Sequence, residues 1–309
     1  MDLLTCNDVS DSQILSIFQD ANAIRQVDQA KREGLNANWN SGCEGKILAT
    51  LFFEPSTRTR LSFESAMLRL GGKYISVSGP EASSTSKGET ISDTIRVVST
   101  YAEILVVRSS EPIQKWLDQD NRYLRGPIIN AGDGTWNHPS QALLDAYTIW
   151  RNYRTPNPIV DNLKIGIVGD MAKSRTIHSF VELMGRGSKN EFTFYDSTEQ
   201  NFSPAIKGEQ LNIQGVATKA EFMERLSSFD VLYTNRIQKE RWDDKDFKPF
   251  VLDEATWSQM NRNCIVLNPG PRREELPEMF DNERQNKIWA QVRNGLYLRM
   301  ALIRKALTA

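Results

Sequence analysis

Short polar segments that follow apolar runs hold most of the side chains in this chain able to act on a small anion. The first is Ser56-Thr57-Arg58-Thr59-Arg60, which packs hydroxyls and two guanidiniums into five residues. Where a strand ends and a helix begins, free main-chain N–H groups and the positive end of the helix dipole converge. Such a turn suits phosphate, and the hydroxyls and arginines add donors and fixed charge. The competing reading is an ordinary helix cap followed by surface arginines. Arg108, Arg175 and Arg236 with Gln238 stand just past other apolar runs, as do His138 with Gln141 and the pair Pro269-Gly270. Four arginines gathered in this way imply a substrate pair rich in phosphate and carboxylate. The two histidines, His138 and His178, both lie near these turns, where a histidine can equally be a cap or a packing residue. No serine–histidine–acid or cysteine–histidine pattern stands out. The chemistry then rests on positioning and electrostatics and not on a covalent intermediate.

The elements that must position these residues alternate between strand and helix. Residues 8–33 read as a helix with capping chemistry at Val9, Ser10 and Asp11. Lys46 to Leu51 is an apolar run typical of a buried strand. Phe63, Ala66, Met67 and Leu70 then fall on one helical face, and Gly71-Gly72 supplies a stop. Residues 78–90 are small and polar, with Lys87 as the only cation, and read as a mobile loop. A helix is expected from Thr90 to Tyr101, strands at Ile104–Val107 and Pro127–Asn130, and a helix opening at His138-Pro139. Pro156 and Pro158 mark a break, after which Leu163–Asp170, Phe192–Asp196, Val231–Thr234 and Cys264–Leu267 read as strands. The charged stretch from Lys239 to Lys248 reads as a second mobile loop. A long apolar face runs from Trp289 to Leu307. The order predicts an α/β protein of two domains, each a parallel sheet flanked by helices, with the C-terminal helix packing back on the first. The expected division is 1–139 with 294–309 returning to it, and 140–293. Strand ends in such sheets are where ligands gather.

Bulk properties narrow the function classes. The formal net charge of the 309 residues is −1, so no general attraction to nucleic acid or acidic membrane is expected. No apolar run is long enough to span a bilayer, and Met1 to Thr5 show no signal-like pattern. Cys6, Cys43 and Cys264 are far apart and form no CxxC pair, which suggests a reducing cytoplasm and neither a disulfide framework nor a zinc site. The phosphate loop GxxxxGK[ST], the dinucleotide pattern GxGxxG and HExxH are all absent. No metal or other cofactor is expected.

On these residues the chain resembles the aspartate/ornithine carbamoyltransferase family. Phe53-Glu54-Pro55-Ser56-Thr57-Arg58-Thr59-Arg60 is similar to its carbamoyl-phosphate signature, Ser86-Lys87-Gly88-Glu89-Thr90 to its lysine-bearing loop, and His138-Pro139-Ser140-Gln141 to its His-Pro-x-Gln helix. Gly169-Asp170 through Ser179 and Arg236-Ile237-Gln238-Lys239-Glu240-Arg241 resemble the aspartate-type second half. The motifs occur in the family's order and span nearly the whole chain.

The resemblance implies roles. Ser56, Thr57, Arg58 and Thr59 would hold the phosphate of carbamoyl phosphate together with Arg108. Thr59, Arg108 and His138 would polarise the carbamoyl oxygen. Gln141 and the carbonyls of Pro269 and Gly270 would fix the carbamoyl amino group. Arg175 and Arg236, with Gln238, would bind the carboxylates of aspartate. Lys87 and one serine among Ser83, Ser84 and Ser86, taken as Ser83, would reach a neighbouring subunit's site. A homotrimer with shared sites is implied, to which regulatory chains could attach. Two positions depart from the family's habit: Asn268 replaces a usual histidine, and Ser109 follows Arg108 where a second histidine is common. Transfer to ornithine is the nearest alternative, but that substrate needs an acidic partner and the His-Cys-Leu-Pro signature of that branch is absent. A non-catalytic paralogue is the other alternative, and it should have lost anion ligands.

Overall fold

The computed structural model describes residues 1–35, 42–79, 88–117, 124–196, 212–238 and 249–308. The expected loop residues 80–87, including Ser83, Ser84, Ser86 and Lys87, and the charged stretch 239–248 lie outside them.

In the first half run α1 (Asp11–Arg32), β1 (Ile47–Phe52), α2 (Thr57–Arg69), β2 (Lys73–Ser78), α3 (Ile91–Ser99), β3 (Ile104–Ser109), α4 (Gln114–Leu117) and β4 (Ile128–Asp133). The second half holds α5 (Pro139–Tyr153), β5 (Lys164–Gly169), α6 (Arg175–Gly185), β6 (Glu191–Asp196), β7 (Asn212–Val216), α7 (Lys219–Arg225), β8 (Val231–Thr234), α8 (Glu254–Gln259) and β9 (Ile265–Leu267). Finally, α9 (Ile288–Thr308) closes the chain.

All strand pairs are parallel, in two sheets of order β2-β1-β3-β4 and β7-β6-β5-β8-β9. The central strands are covered on both faces, which is why β1, β3 and β5 read as apolar runs rather than as alternations. Sequence patterning missed β2 and β7, the edge strands on one side of each sheet. In β2 (KYISVS) five of six side chains are exposed, so no buried stripe marks it. The short helices α4, α7 and α8 were missed too, being four to seven residues long and so too short to show a periodicity.

Strand order also decides where a ligand can sit. In the first sheet the chain leaves β1 for β2 on one side and then crosses to β3 on the other. In the second it leaves β5 for β6 and β7, then crosses to β8 and β9. Each reversal opens a crevice past the carboxyl ends of the two strands that flank it. The first crevice is bordered by the turn after β1 and by Arg108 in β3. The second is bordered by the turns after β5 and β8, which carry Arg175 and Arg236.

Two helices hold the halves together. From Pro139 to Ile149 every residue of α5 is buried, and the helix packs against β4 on one side and α6 on the other. The terminal helix α9 packs on α1 and α2, returning to the first sheet's domain. The Tyr297 hydroxyl donates to Asp28 at 2.6 Å, Arg299 to the Ser62 hydroxyl at 3.0 Å, and Arg304 pairs with Asp20 at 3.2 Å. At its other end α9 reaches the second half: Gln291 accepts from the Asn268 main chain at 2.8 Å and donates to Asp145 at 2.8 Å.

Candidate active site

The two crevices face each other across a single cavity of about 570 Å³. The turn after β1 supplies Ser56, Thr57, Arg58 and Thr59 to its wall. Ser56 is the N-cap of α2, yet its side chain makes no cap hydrogen bond, so its hydroxyl is not spent on the helix. His138 repeats this at the start of α5, where it holds the N-cap position without capping. The cap alternative therefore fails at both turns in its energetic sense.

Arg108, Arg175 and Arg236 line the same cavity, together with Gln141, Gln238, Pro269 and Gly270. The structure thus brings together every expected site residue that it describes. Residues without an assigned role also contribute, among them Glu54, Asn235, Gln291 and Arg299. Among the described residues five guanidiniums line it, against one carboxylate, Glu54.

Glu54 ties the two halves of the cation cluster together. One of its oxygens accepts from Arg108 at 3.0 Å and from Arg175 at 3.0 Å, and the other accepts from Arg175 at 2.8 Å. Arg108 also donates to the Ala131 carbonyl at 3.2 Å, and Arg175 to that of Gly134 at 2.8 Å. Both guanidiniums are nearly buried and fixed in orientation, as a charge-assisted fork requires. Gly132 leaves them room. Its φ is +112°, and a β-carbon there would come within 3.0 Å of the Arg175 Nε and 3.1 Å of the Arg108 Nη1. Gly132→Ala is therefore expected to displace both guanidiniums and lower kcat/KM about tenfold or more, with a stability loss of about 1 kcal/mol, measurable by steady-state kinetics and thermal melting.

Arg58 and Arg236 approach one another from opposite halves. Burial holds the Arg58 guanidinium below its usual pKa, and the nearby Arg236 pushes in the same direction. Like charges held near one another favour an anionic ligand between them. Behind Arg58 lies Arg299, whose pKa burial brings down to about 10, with Asp145 opposing and Arg58 reinforcing that shift. Arg299 interrupts the apolar face of α9, and a charge in that register is the signal that could have marked it.

His138 is buried with its main-chain N–H donating to the Ser179 hydroxyl at 2.9 Å. Its ring Nδ1 lies 3.4 Å from the Ser140 hydroxyl, and no group among the described residues engages Nε2. Burial, then Arg175, Arg108 and Arg299, hold its pKa well below the usual histidine value. The ring is neutral, and when Ser140 donates to Nδ1 the proton resides on Nε2. His178 differs: its two ring nitrogens sit 3.0 Å from the carbonyls of Thr135 and Met171, so it braces the loops around the site and is not part of the lining.

Gln141 is oriented from behind. Its amide nitrogen donates to Asp145 at 2.9 Å, which leaves the amide oxygen with no donor among the described residues. Asp145 also accepts from Gln291 and, at 2.9 Å, from the Tyr233 hydroxyl. Burial raises the Asp145 pKa to about 7 against the pull of these three donors. At the opposite wall Asn268 shapes the loop after β9. It accepts from the Gly270 N–H at 2.7 Å and donates to Thr234 and Glu275, and the Gly270–Pro271 peptide is cis.

A cavity with this charge, split between two parallel sheets, agrees with what the comparisons found. Residues 1–151 match the family model described as aspartate/ornithine carbamoyltransferase, carbamoyl-P binding domain. Residues 161–305 match its partner, the Asp/Orn binding domain. The chain belongs to the aspartate/ornithine carbamoyltransferase family. Among curated relatives of this carbamoyltransferase, the aspartate carbamoyltransferase catalytic subunit of Clostridium kluyveri is 42% identical over 272 residues, covering 86% of this chain and 87% of that one. The corresponding subunit of Picrophilus torridus is 38% identical over 306 residues, covering 97% and 96%. The aspartate transcarbamoylase of Trypanosoma cruzi in complex with N-(phosphonacetyl)-L-aspartic acid superposes with a TM-score of 0.86 at 30% identity, covering 99% of this chain and 94% of that one. Its complex with carbamoyl phosphate and aspartate gives a TM-score of 0.84 at 29% identity, covering 99% and 95%.

Proposed function

We infer that this carbamoyltransferase moves the carbamoyl group of carbamoyl phosphate to the α-amine of L-aspartate, giving N-carbamoyl-L-aspartate and phosphate. The observation that supports this reading best is the arrangement of the arginines. Arg58 and Arg108 stand at the crevice of the first sheet, Arg175 and Arg236 at that of the second, and all four open into one cavity. Two anionic substrates can lie there side by side.

Roles follow from position. Ser56, Thr57, Arg58 and Thr59 take the phosphate at the start of α2, with Arg108 alongside. Arg108, Thr59 and His138 Nε2–H point donors at the carbamoyl oxygen, where charge grows as the tetrahedral intermediate forms. The amide oxygen of Gln141 and the carbonyls of Pro269 and Gly270 accept from the carbamoyl amino group. Arg175, Arg236 and Gln238 hold the carboxylates of aspartate. The attacking amine must arrive unprotonated, and the departing phosphate can accept the proton that it sheds. Closure of the two domains over the pair would exclude water.

The reading separates cleanly from its rivals in one assay. Incubated with carbamoyl phosphate, the protein should carbamoylate aspartate and leave ornithine untouched. Product from ornithine would move it to the other branch, and no product from either would make it a non-catalytic relative. Ornithine is disfavoured because the wall that would meet its second amine carries Arg236 and Gln238.

Asp145 gives a finer test of the same site. Asp145→Ala should free the Gln141 amide to rotate and lower kcat/KM for carbamoyl phosphate about tenfold or more, since a buried charge-assisted bond is lost. Asp145→Asn, which can still accept from Gln141 and Gln291, should retain most activity.

Further proposals concern assembly and setting. We place the division of domains at 1–139 with 294–309, and 140–293. The lysine-bearing loop supports a homotrimer in which Ser83 and Lys87 enter a neighbour's site, and light scattering should then give three times the chain mass of 35.2 kDa. Relatives named as catalytic subunits suit a larger assembly with regulatory chains. The three cysteines are all buried and unpaired, which suits a cytoplasmic location and the de novo pyrimidine pathway in which carbamoyl-aspartate is used.

A further inference from the structure

A second cavity, of about 210 Å³, opens where α1, α5 and α9 meet, outside the catalytic cavity. Arg25 and Arg32 face it from α1, Arg151 from α5 and Arg293 from α9, against a single carboxylate among the described residues, Asp28. That carboxylate is already engaged. It accepts from Arg32 at 2.9 Å and from the Tyr297 hydroxyl at 2.6 Å, and Arg69 lies 3.9 Å away. Among the described residues no acid pairs with Arg25, Arg151 or Arg293. Arg25 reaches only the neutral amides of Asn22 and Gln29, at 3.4 and 3.3 Å. Arg151 donates to the Asn294 amide at 2.8 Å and lies 6.0 Å from the centre of the Tyr147 ring.

Three guanidiniums so placed repel one another, and the repulsion is felt: burial and the nearby Arg25 both hold the Arg151 pKa down. The arrangement is therefore short of one anion. Forked guanidiniums match the tetrahedral oxygens of phosphate, and the volume admits a phosphate with a small organic group attached.

We propose that the cavity between α1, α5 and α9 is a second anion site, separate from the catalytic one, that binds a phosphate group through Arg25, Arg151 and Arg293. The occupant is either free phosphate or the phosphate of a small ester.

Calorimetric titration of the whole enzyme tests it, with the catalytic cavity filled by excess N-(phosphonacetyl)-L-aspartic acid. This blocking step rests on the proposed catalytic reading. Inorganic phosphate and ribose 5-phosphate are titrated separately. At least one of them should bind once per chain, and the tighter of the two identifies the source. Arg25→Gln and Arg293→Gln should each weaken that binding about tenfold or more. Neither should change the affinity for the blocking ligand, and neither should lower the melting temperature in phosphate-free buffer, because each relieves like-charge repulsion. Absence of binding by both probes below millimolar concentration, or binding that both variants retain, would overturn the proposal. Failure of the blocking ligand to bind would count against the catalytic reading alone. The loss of one phosphate per chain between wild type and Arg25→Gln would still decide the second site.

Discussion

Arg108→Ala is expected to lower kcat by about 10²–10³-fold while the protein stays folded, as judged by circular dichroism and thermal melting. The size follows from what this guanidinium does at once. It sits in β3 opposite Phe52 of β1, where the pairing of β3 with β4 shifts register between Val107 and Ser109. Its side chain is held by the Ala131 carbonyl and Glu54, and it borders the turn that would take the phosphate. A donor so fixed needs no reorganisation when charge develops on the substrate, and that is why its loss weighs on kcat more than on KM. The fold should survive because Glu54 keeps two hydrogen bonds from Arg175 and is not left as a buried, unpaired acid. Arg108→Lys should recover only part of the activity, since a point charge cannot serve the Ala131 carbonyl, Glu54 and a substrate with the same planar fork. If Arg108→Ala kept more than a tenth of the wild-type kcat, the donor would be doing something other than stabilising the reacting oxygen.

How much of this could be read from the chain varied with the range of the interaction concerned. The turn at Ser56–Arg60 was legible because everything that makes it an anion site is local: the strand before it, the helix after it, and the residues between. The same holds for His138-Pro139 opening α5. Glu54 lies inside the Phe53–Arg60 signature, but its role cannot be read there. Its partners Arg108 and Arg175 are 54 and 121 positions away, and only the facing of two sheets brings them to one carboxylate. Asp145 reads as one more polar residue in the middle of an apolar helix. Its function, holding the Gln141 amide, depends on Tyr233 and Gln291 arriving from β8 and α9. Asn268 shows the reverse. Judged against the family's habit it was a departure at the site, whereas in the fold its side chain makes three hydrogen bonds that set the Pro269–Gly270 turn. The edge strands β2 and β7 escaped because neither KYISVS nor NIQGV carries a continuous apolar run, and their existence is decided by the neighbour they pair with.

His138→Ala should reduce kcat by about 10²–10³-fold, with a much smaller change in the KM for carbamoyl phosphate. The pH dependence distinguishes how the residue acts. With its pKa held well below the usual value by burial and by Arg175, Arg108 and Arg299, the ring carries no charge across the neutral range. It can donate one hydrogen bond from Nε2 but cannot supply a titrating proton there. The wild-type profile of kcat against pH should therefore show no limb near 6.5 that the variant lacks, and the two curves should run parallel. Stability gives an independent reading with a definite sign. In the unfolded chain His138 takes up a proton as pH falls below about 6.5, whereas the folded ring does not. The unfolded state then binds more protons, so this residue makes the enzyme less stable as pH falls through and below that value. His138→Ala removes the contribution, and the gap in melting temperature between variant and wild type should move in the variant's favour from pH 8 to pH 5. A limb near pH 6.5 present in the wild type and missing from the variant would instead make His138 a proton-transfer group, and would require a charge balance around it that three arginines do not provide.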